Sequence, residues 1–208
     1  AGDVTSPSTA AQIASILIPP EEGSNQFFSN AAQHLLAGVM ISFICSKRPW
    51  TLRDVLLATG DPNRLRAVLE REPYTQGLIA KYFLDERLLH NILSTLASKT
   101  MLYEPVAAVW ERAASAGRVL SLQDWAINSY TVVLGNDEQI RAPIDAINRF
   151  LFQRASELLL DAPGSESRRS GIFLDEVGKA GKLNGLDNLL TKGRSNGVCV
   201  VLGLQDID

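Results

Sequence analysis

The sequence Ile172-Phe173-Leu174-Asp175-Glu176 runs from three large apolar residues directly into two adjacent carboxylates. A short apolar run of this kind is typical of a buried strand. In open α/β proteins, ligands bind beyond the carboxyl ends of the strands. The pattern therefore predicts that Asp175 and Glu176 lie at a ligand-binding edge of a sheet.

The sequence after these carboxylates predicts a helix and then a second strand. Leucines recur at helical spacing within residues 186–190, and the glycine-rich segment 193–197 ends the helix. The apolar run 198–203 is the second predicted strand and leads into Gln205. Strand, helix and strand in this order are typical of a parallel crossover unit, which places Gln205 at the same edge as Asp175.

Two neighbouring carboxylates at such an edge can have two different roles in the hydrolysis of a magnesium-bound nucleotide. In the second acidic motif of P-loop ATPases, Walker B, the first carboxylate holds the metal shell and the second orients or deprotonates the attacking water. Asp175 fits the first role and Glu176 the second. A strand that runs into a solvated turn gives the same two acids, so the pattern alone leaves both interpretations open.

The first part of the chain predicts helices. Ser6-Pro7 begins one helix and Pro19-Pro20 ends it, and residues 29–46 show an apolar face suited to core packing. From residue 47 to residue 120 the pattern is exclusively helical, with a capping box at Thr51 and Asp54, as in a separate small domain.

An α/β pattern returns after Ser121. The run Tyr130-Thr131-Val132-Val133-Leu134 predicts a strand, and residues 140–160 predict a helix.

Composition is that of a globular protein. With 208 residues, 46% hydrophobic residues, 21% charged residues and a net charge of -3, the chain can bury one sizeable core or two small ones. The mild acidity argues against a surface that coats nucleic acid uniformly. The longest mainly apolar run, residues 35–45, is shorter than the roughly 18 residues needed to span a bilayer.

Cysteine and histidine usage gives no sign of a metal site. Cys45 and Cys199 lie within apolar runs, which favours reduced core thiols of a cytoplasmic protein. His34 and His90 have no Cys or second His at ligand spacing, so we expect no metal held by these side chains alone.

Three segments carry a family resemblance. Residues 173–183, 191–195 and 200–205 read Phe-Leu-Asp-Glu-Val-Gly-Lys-Ala-Gly-Lys-Leu, Thr-Lys-Gly-Arg-Ser and Val-Val-Leu-Gly-Leu-Gln. They resemble the TraD/TraG/TrwB family of type IV secretion coupling proteins, which are hexameric, membrane-attached ATPases of bacterial conjugation. The resemblance is dense over residues 170–207 and looser over the remainder of the chain.

The resemblance implies a helix-rich α/β fold. Its partial RecA-like P-loop NTPase sheet would have adjacent parallel strands near residues 131, 172 and 198. Residues 1–46 and 121–208 would form the partial nucleotide-binding domain. Residues 47–120 would form an inserted all-α domain.

The resemblance also implies roles for four residues, with ATP and Mg²⁺ as cofactors of the intact parent. Asp175 would bind the metal, Glu176 and Gln205 would act on the γ-phosphate or attacking water, and Arg194 would reach a neighbouring subunit's nucleotide. For Arg194, an arginine that stabilises its own helix end is the alternative.

One expected motif is absent from the sequence. The pattern Gly-x-x-x-x-Gly-Lys-Ser/Thr, whose backbone amides and lysine bind phosphates, does not occur, because Ala180 and Leu183 stand where the hydroxyl should be. We therefore expect a soluble cytoplasmic fragment, monomeric or weakly dimeric, with no nucleotide bound. Its parent would be anchored at the cytoplasmic face of the bacterial inner membrane.

The partners implied are single-stranded DNA and relaxosome proteins through the all-α domain, secretion channel components, and a homohexamer of the parent. Five basic residues of this region can contact phosphates: Arg64, Arg66, Arg71, Lys81 and Arg87. Interleaved acids favour an ordinary solvated face over a dedicated DNA groove. Trp50, Tyr74 and Tyr82 can stack on bases, although completion of a small helical core is the favoured interpretation.

Two alternatives from other classes remain. A translocase of the FtsK/HerA type, acting on duplex DNA, would share Asp175, Glu176 and Gln205 but would not need the helical insert. A non-catalytic module would use the insert to dock partners and the α/β part as a scaffold.

Overall fold

The computed structural model describes residues 2–162 and 169–204. They belong to two compact units, which divide between Val119 and Leu120. The helices of the first unit are α1 (Pro7–Leu17), α2 (Gln26–Ser46), α3 (Leu52–Thr59), α4 (Pro62–Glu70), α5 (Pro73–Tyr82), α6 (Glu86–Thr100) and α7 (Glu104–Ser115). Short 3₁₀ turns, Gly23–Asn25 and Met101–Tyr103, lead into α2 and α7.

The long helix α2 is the centre of the first unit. Its residues Leu35, Leu36, Val39 and Met40 are buried, and α1, α3, α4, α5 and α6 all pack against it. A polar contact also stabilises this packing: Ser42 of α2 and Thr75 of α5 share a buried 3.1 Å hydrogen bond. The burial of large aliphatic side chains around one helix is what stabilises the unit.

Capping residues fix where these helices begin. The Ser6 hydroxyl accepts from the Thr9 amide at 3.1 Å at the start of α1, and Thr51 with Asp54 forms a complete capping box at the start of α3. The carboxylate of Asp61 accepts from the Arg64 amide at 2.7 Å before α4. The helix starts predicted at Ser6 and Thr51 are confirmed, and Asp61 caps a third helix.

Helix α2 and its leading turn are longer than the sequence suggested. The segment Gly23–Ser46 has 24 residues and a mean hydropathy of 1.4, which is long and apolar enough to cross a membrane. The expectation based on residues 35–45 alone was wrong on length. However, 61% of its apolar window is buried inside the protein, as in the core helix of a globular unit.

The first unit contains residues on both sides of the predicted domain boundary near residue 46. Helices α1 and α2 pack with α3–α7 in one compact body. The assignment of residues 1–46 to the nucleotide-binding domain therefore stays a prediction.

The second unit contains one parallel crossover. Its elements are α8 (Leu122–Ile127), α9 (Arg141–Asp161), β1 (Ser170–Leu174), α10 (Leu186–Lys192) and β2 (Val198–Leu202). Strands β1 and β2 pair in parallel, with Ser170 opposite Val198 and Leu174 opposite Leu202. The predicted strand, helix and strand are confirmed, and so is the helix-rich fold with a parallel sheet.

The core of this unit lies between α9, α10 and one face of the sheet. Phe152, Leu159, Leu189 and Val198 form its buried centre. Gly185 precedes α10 with a φ of 98°, a conformation that favours glycine. A Cβ atom there would lie 3.1 Å from Ser156 Cβ on α9, so the chain approaches this helix closely.

The strand predicted near residue 131 is not formed. Residues 129–137 have no regular secondary structure, and the sheet of the described chain contains β1 and β2 only. Val133 is 85% exposed, so no layer of the described residues covers its side chain. Backbone groups form a strand only where a neighbour supplies hydrogen-bond partners, and none of the described residues does so here.

The interpretation of the cysteines as core residues was also wrong. Both thiols are free and both residues are exposed. Cys45 lies in the last turn of α2, and Cys199 lies on the open face of β2. For Cys199, apolar neighbours in sequence did not indicate burial, because alternate positions of a strand point to opposite faces.

Candidate functional site

Asp175 and Glu176 lie at the carboxyl end of β1, as predicted. Asp175 is exposed, and its Oδ1 accepts a hydrogen bond from the Glu176 amide at 3.0 Å. Glu176 adopts a left-handed backbone conformation, with φ 51° and ψ 46°. This conformation costs energy for a residue other than glycine and turns the chain sharply away from the strand.

The chain following β2 closes against this turn. The Gly203 amide donates to the Leu174 carbonyl at 2.7 Å, and the Val177 amide donates to the Gly203 carbonyl at 3.2 Å. A Cβ atom on Gly203 would lie 2.7 Å from Asp175 Oδ1. The Asp175 carboxylate therefore packs directly against the backbone of Gly203, which has no side chain.

The structure brings together only part of the predicted site. Gln205 lies outside the described residues, so its position relative to Asp175 is still a prediction. Arg194 lies in the turn Gly193–Asn196 just before β2, at the opposite end of the strand pair from the two carboxylates. Within one chain, Arg194 is thus separated from Asp175 by the length of the strands.

The carboxylates are suited to part of a magnesium site. Mg²⁺ prefers carboxylate oxygens and usually retains several waters, with substrate phosphates completing its shell. Among residues 2–162 and 169–204, no three His, Cys, Asp or Glu side chains form a cluster that could hold a metal ion. The donor set fits a metal that arrives with a nucleotide, and the phosphate-binding loop is absent from the sequence.

One face of the two-stranded sheet is open. Phe173 is 77% exposed and Val201 is 46% exposed, and these two residues are register partners on β1 and β2. The alternate residues Ile172 and Leu174 pack toward the core of the unit.

The aromatic residues considered for base stacking have different surroundings. Tyr82 is 2% exposed, and its hydroxyl is 2.7 Å from His34 Nδ1, so it completes the core as favoured. Tyr74 is 72% exposed. Trp50 is half-buried and lies beside Phe43, with ring centroids 5.9 Å apart.

A cavity of about 520 Å³ opens beside Trp50 in the first unit. Its lining includes Arg48 and Arg71, of which only Arg71 was a candidate from the sequence. Sequence reasoning missed Arg48 because the basic residues considered as phosphate contacts began at Arg64. Its position two residues before Trp50 is the signal that could have found it, since a cation and an aromatic ring often share a binding surface.

A family model matches the whole chain. The family described as the type IV secretion-system coupling protein DNA-binding domain is matched over residues 1–208. No curated protein matches the chain.

Solved structures share the fold. The chain is similar to the bacterial conjugative coupling protein TrwB in a trigonal form with sulphate, at 19% identity and a TM-score of 0.65, over 97% of this chain and 47% of that one. It is also similar to the plasmid coupling protein TrwB in complex with ADP and Mg²⁺, at 19% identity and a TM-score of 0.59, over 96% and 46% of the two chains. A third, TrwB with the ATP analogue ADPNP, gives 18% identity and a TM-score of 0.58 over 96% and 47%. The chain spans about half the length of these structures.

Proposed function

Because the chain belongs to the type IV secretion-system coupling proteins, we propose that it is the DNA-contacting part of a conjugative DNA-translocating ATPase. The intact protein would act as a hexamer at the cytoplasmic face of the inner membrane. It would link the relaxosome to the secretion channel and move single-stranded DNA. The observation that carries this proposal is the match of the DNA-binding domain family to all of residues 1–208.

The carboxylate turn supports the ATPase part of the proposal. Asp175 would bind the magnesium ion of the nucleotide, and Glu176 would orient or deprotonate the attacking water. Gly203 leaves room for the Asp175 carboxylate and brings the chain leading to Gln205 to this edge. An amide at position 205 would then contact the γ-phosphate or the water.

Arg194 would act on another subunit's nucleotide. A guanidinium stabilises charge on a transferring phosphoryl group. Because Arg194 lies at the far end of the strands from Asp175 within one chain, only a neighbouring subunit could present it to a nucleotide.

The 208-residue chain itself would not hydrolyse ATP. Backbone amides of a phosphate-binding loop supply most of the contacts to the β- and γ-phosphates, and the sequence has no such loop. Titration of the chain with a fluorescent ATP analogue and Mg²⁺ should show no saturable binding at micromolar concentrations. Saturable micromolar binding would contradict this part of the proposal.

The DNA-contacting role is tested by competition. The chain is incubated with labelled single-stranded DNA, and unlabelled single-stranded or duplex DNA of the same sequence is added. We expect the single strand to compete better. Better competition by the duplex would favour a duplex translocase instead, and no binding to either would contradict the DNA-contacting role.

A further inference from the structure

We propose that the cavity of the first unit binds one nucleotide unit of single-stranded DNA, with the base against Trp50 and the phosphodiester between Arg48 and Arg71. This inference rests on the proposed DNA-contacting function and assigns it to one place. The cavity is lined by the end of α2, the loop into α3, and the junction of α4 and α5.

The size of the cavity suits such a ligand. Its volume is about 520 Å³, and pockets that hold small ligands are about 300 to 1,000 Å³. The cavity is open to solvent, so a nucleotide that remains attached to a longer strand can enter it while the strand continues on both sides.

The apolar wall is aromatic. Trp50 and Phe43 lie with ring centroids 5.9 Å apart and planes inclined by 35°, and both are half-buried and line the cavity. Their mutual contact holds the indole in place before any ligand arrives. Every base has a π-face that stacks on such a ring, and an alanine substitution at a stacking aromatic costs about 1 to 3 kcal/mol per base.

The charged part of the lining consists of two arginines, Arg48 and Arg71, and two carboxylates, Asp54 and Glu72. Arg48 and Arg71 are exposed, and neither guanidinium is paired with a carboxylate of the described chain. By contrast, Arg66 in α4 pairs with Glu70 at 3.8 Å and lies over the Phe83 ring. Two guanidinium groups with no carboxylate partner among residues 2–162 and 169–204 are available to a phosphodiester, which they bind with planar donor geometry.

The acidic residues of the lining are partly engaged elsewhere. Asp54 Oδ2 accepts from the Thr51 amide at 2.7 Å and from its hydroxyl at 2.8 Å, so it is committed to the start of α3. Glu72 precedes α5 and makes no capping hydrogen bond with its side chain. We therefore expect Glu72 to weaken an anion in the cavity, and its neutralisation to strengthen binding.

The same arrangement disfavours a duplex. In a duplex, both faces of each base are already stacked, and exposing one requires unstacking that costs a few kcal/mol. A single strand presents its base faces without that cost. Flat rings beside cations also suit a base joined to a phosphate better than they suit an acidic peptide, whose side chains carry charge without a planar π-system.

The test compares matched double variants of the 208-residue chain. Arg48→Gln with Arg71→Gln removes two charges from the cavity, and Arg112→Gln with Arg118→Gln removes two exposed charges of the same unit outside it. Binding to a labelled oligothymidylate of about 12 nucleotides is measured by fluorescence anisotropy at several salt concentrations. Circular dichroism melting checks that all variants fold.

The cavity variant should bind about tenfold more weakly than the unsubstituted chain, and its slope of log K against log salt should fall in magnitude by about 0.7, for the one phosphodiester that the two arginines share. The affinity of the control should remain within about twofold of that of the unsubstituted chain, and its slope of log K against log salt should change less than that of the cavity variant. The Glu72→Gln variant should bind more tightly. Equal affinities of the cavity variant and the control would overturn the proposal but leave the DNA-contacting function intact.

Tryptophan emission provides the second readout. Of the three tryptophans, Trp110 and Trp125 are replaced by phenylalanine, so that emission reports Trp50. Oligothymidylate should quench it, and the Arg48→Gln, Arg71→Gln pair should reduce that quenching at a DNA concentration near the Kd of the unsubstituted chain. Quenching by a glutamate-rich peptide in preference to the oligonucleotide would overturn the proposal and assign the cavity to an acidic protein partner. Failure of the unsubstituted chain to bind any DNA would overturn both this proposal and the proposed function.

Discussion

Gly203 and Asp175 lie so close that a Cβ atom on Gly203 would approach Asp175 Oδ1 to 2.7 Å. The same Cβ atom would lie 3.4 Å from Asp175 Cα and 3.5 Å from the Leu174 carbonyl oxygen. A side chain at this position must therefore displace the carboxylate, which accepts from the Glu176 amide at 3.0 Å. The orientation of the proposed metal-binding carboxylate thus depends on Gly203, the residue that directly follows β2.

Replacing Gly203 by alanine should disturb this turn. Loss of the hydrogen bond between Asp175 and the Glu176 amide should lower the free energy of unfolding of the chain by about 1 kcal/mol. In the full-length protein, displacement of the carboxylate by about 1 Å should reduce ATP hydrolysis by about 100-fold. Chemical denaturation and a steady-state ATPase assay measure the two effects.

The matched control is Gly178→Ala in the same turn region, where a Cβ atom would meet nothing within 4 Å. It should leave both quantities close to those of the unsubstituted protein. If Gly203→Ala and Gly178→Ala give the same free energy of unfolding and the same rate of ATP hydrolysis, the close approach of Gly203 to Asp175 affects neither quantity.

Gly38 should be intolerant of substitution, because it lets α2 approach its neighbours. A Cβ atom at Gly38 would collide with Leu78 of α5 and lie 3.0 Å from Leu69 Cδ2 of α4. Overpacking costs about 1 to 3 kcal/mol, which should exceed the gain in helix propensity. Gly38→Val should therefore lower the free energy of unfolding.

Gly77 is the comparison for this effect. It lies within α5, is exposed, and has no atom within 4 Å of a Cβ position. Gly77→Ala should raise the free energy of unfolding by about 0.5 to 1 kcal/mol through helix propensity alone. A Gly38→Val variant as stable as Gly77→Ala would show that the packing of α2 against α5 is looser than described.

The stability of the first unit should fall in mild acid. Partial burial, followed by the charge of Lys81, lowers the pKa of His34 below its ordinary value. The folded state thus favours the neutral imidazole, which meets the Tyr82 hydroxyl at 2.7 Å. This contribution is complete above the unfolded pKa of about 6.5 and is lost as the pH falls from there through the lower folded pKa.

Melting temperatures measured between pH 7 and pH 5 check this dependence. His34→Gln keeps a hydrogen-bonding group near Tyr82 but does not titrate, so its melting temperature should fall less over that range. His90→Gln removes the chain's other histidine and should retain the full decline. An unchanged decline in His34→Gln would assign the acid sensitivity to other groups.

Most helices were predictable because their signals lie in neighbouring residues. Features that depend on contacts between distant residues were not predictable. Side-chain caps at Ser6, Thr51 and Asp61 fixed helix starts because the cap and the amide it satisfies lie within three residues. The run at residues 130–134 has the composition of a strand, but composition does not supply a pairing partner.

The candidate site was predictable to a similar extent. Asp175 and Glu176 were identifiable because both follow directly from a strand that pairs in parallel with the next one. The role of Gly203 was not, since it depends on the closeness of two chain segments. Arg48 was missed for the same reason: it lines a cavity whose other walls come from α2, α3, α4 and the segment that joins α4 to α5.

The family match also bears on one alternative that the sequence left open, the duplex translocase. It covers residues 47–120 as well as the carboxylate turn. A duplex translocase motor would not need that helical region, so the coupling protein hypothesis accounts for more of the chain.

The most direct measurement is ATP turnover by the full-length coupling protein with Glu176→Gln, compared with Asp187→Asn, an exposed acid in the first turn of α10. If Glu176 orients or deprotonates the attacking water, the glutamine variant should lose about 10²- to 10⁴-fold in kcat while its affinity for Mg-ATP stays unchanged. The Asp187→Asn variant should turn over at the unsubstituted rate. Undiminished turnover by Glu176→Gln would contradict the assignment of the carboxylate turn as the hydrolytic site.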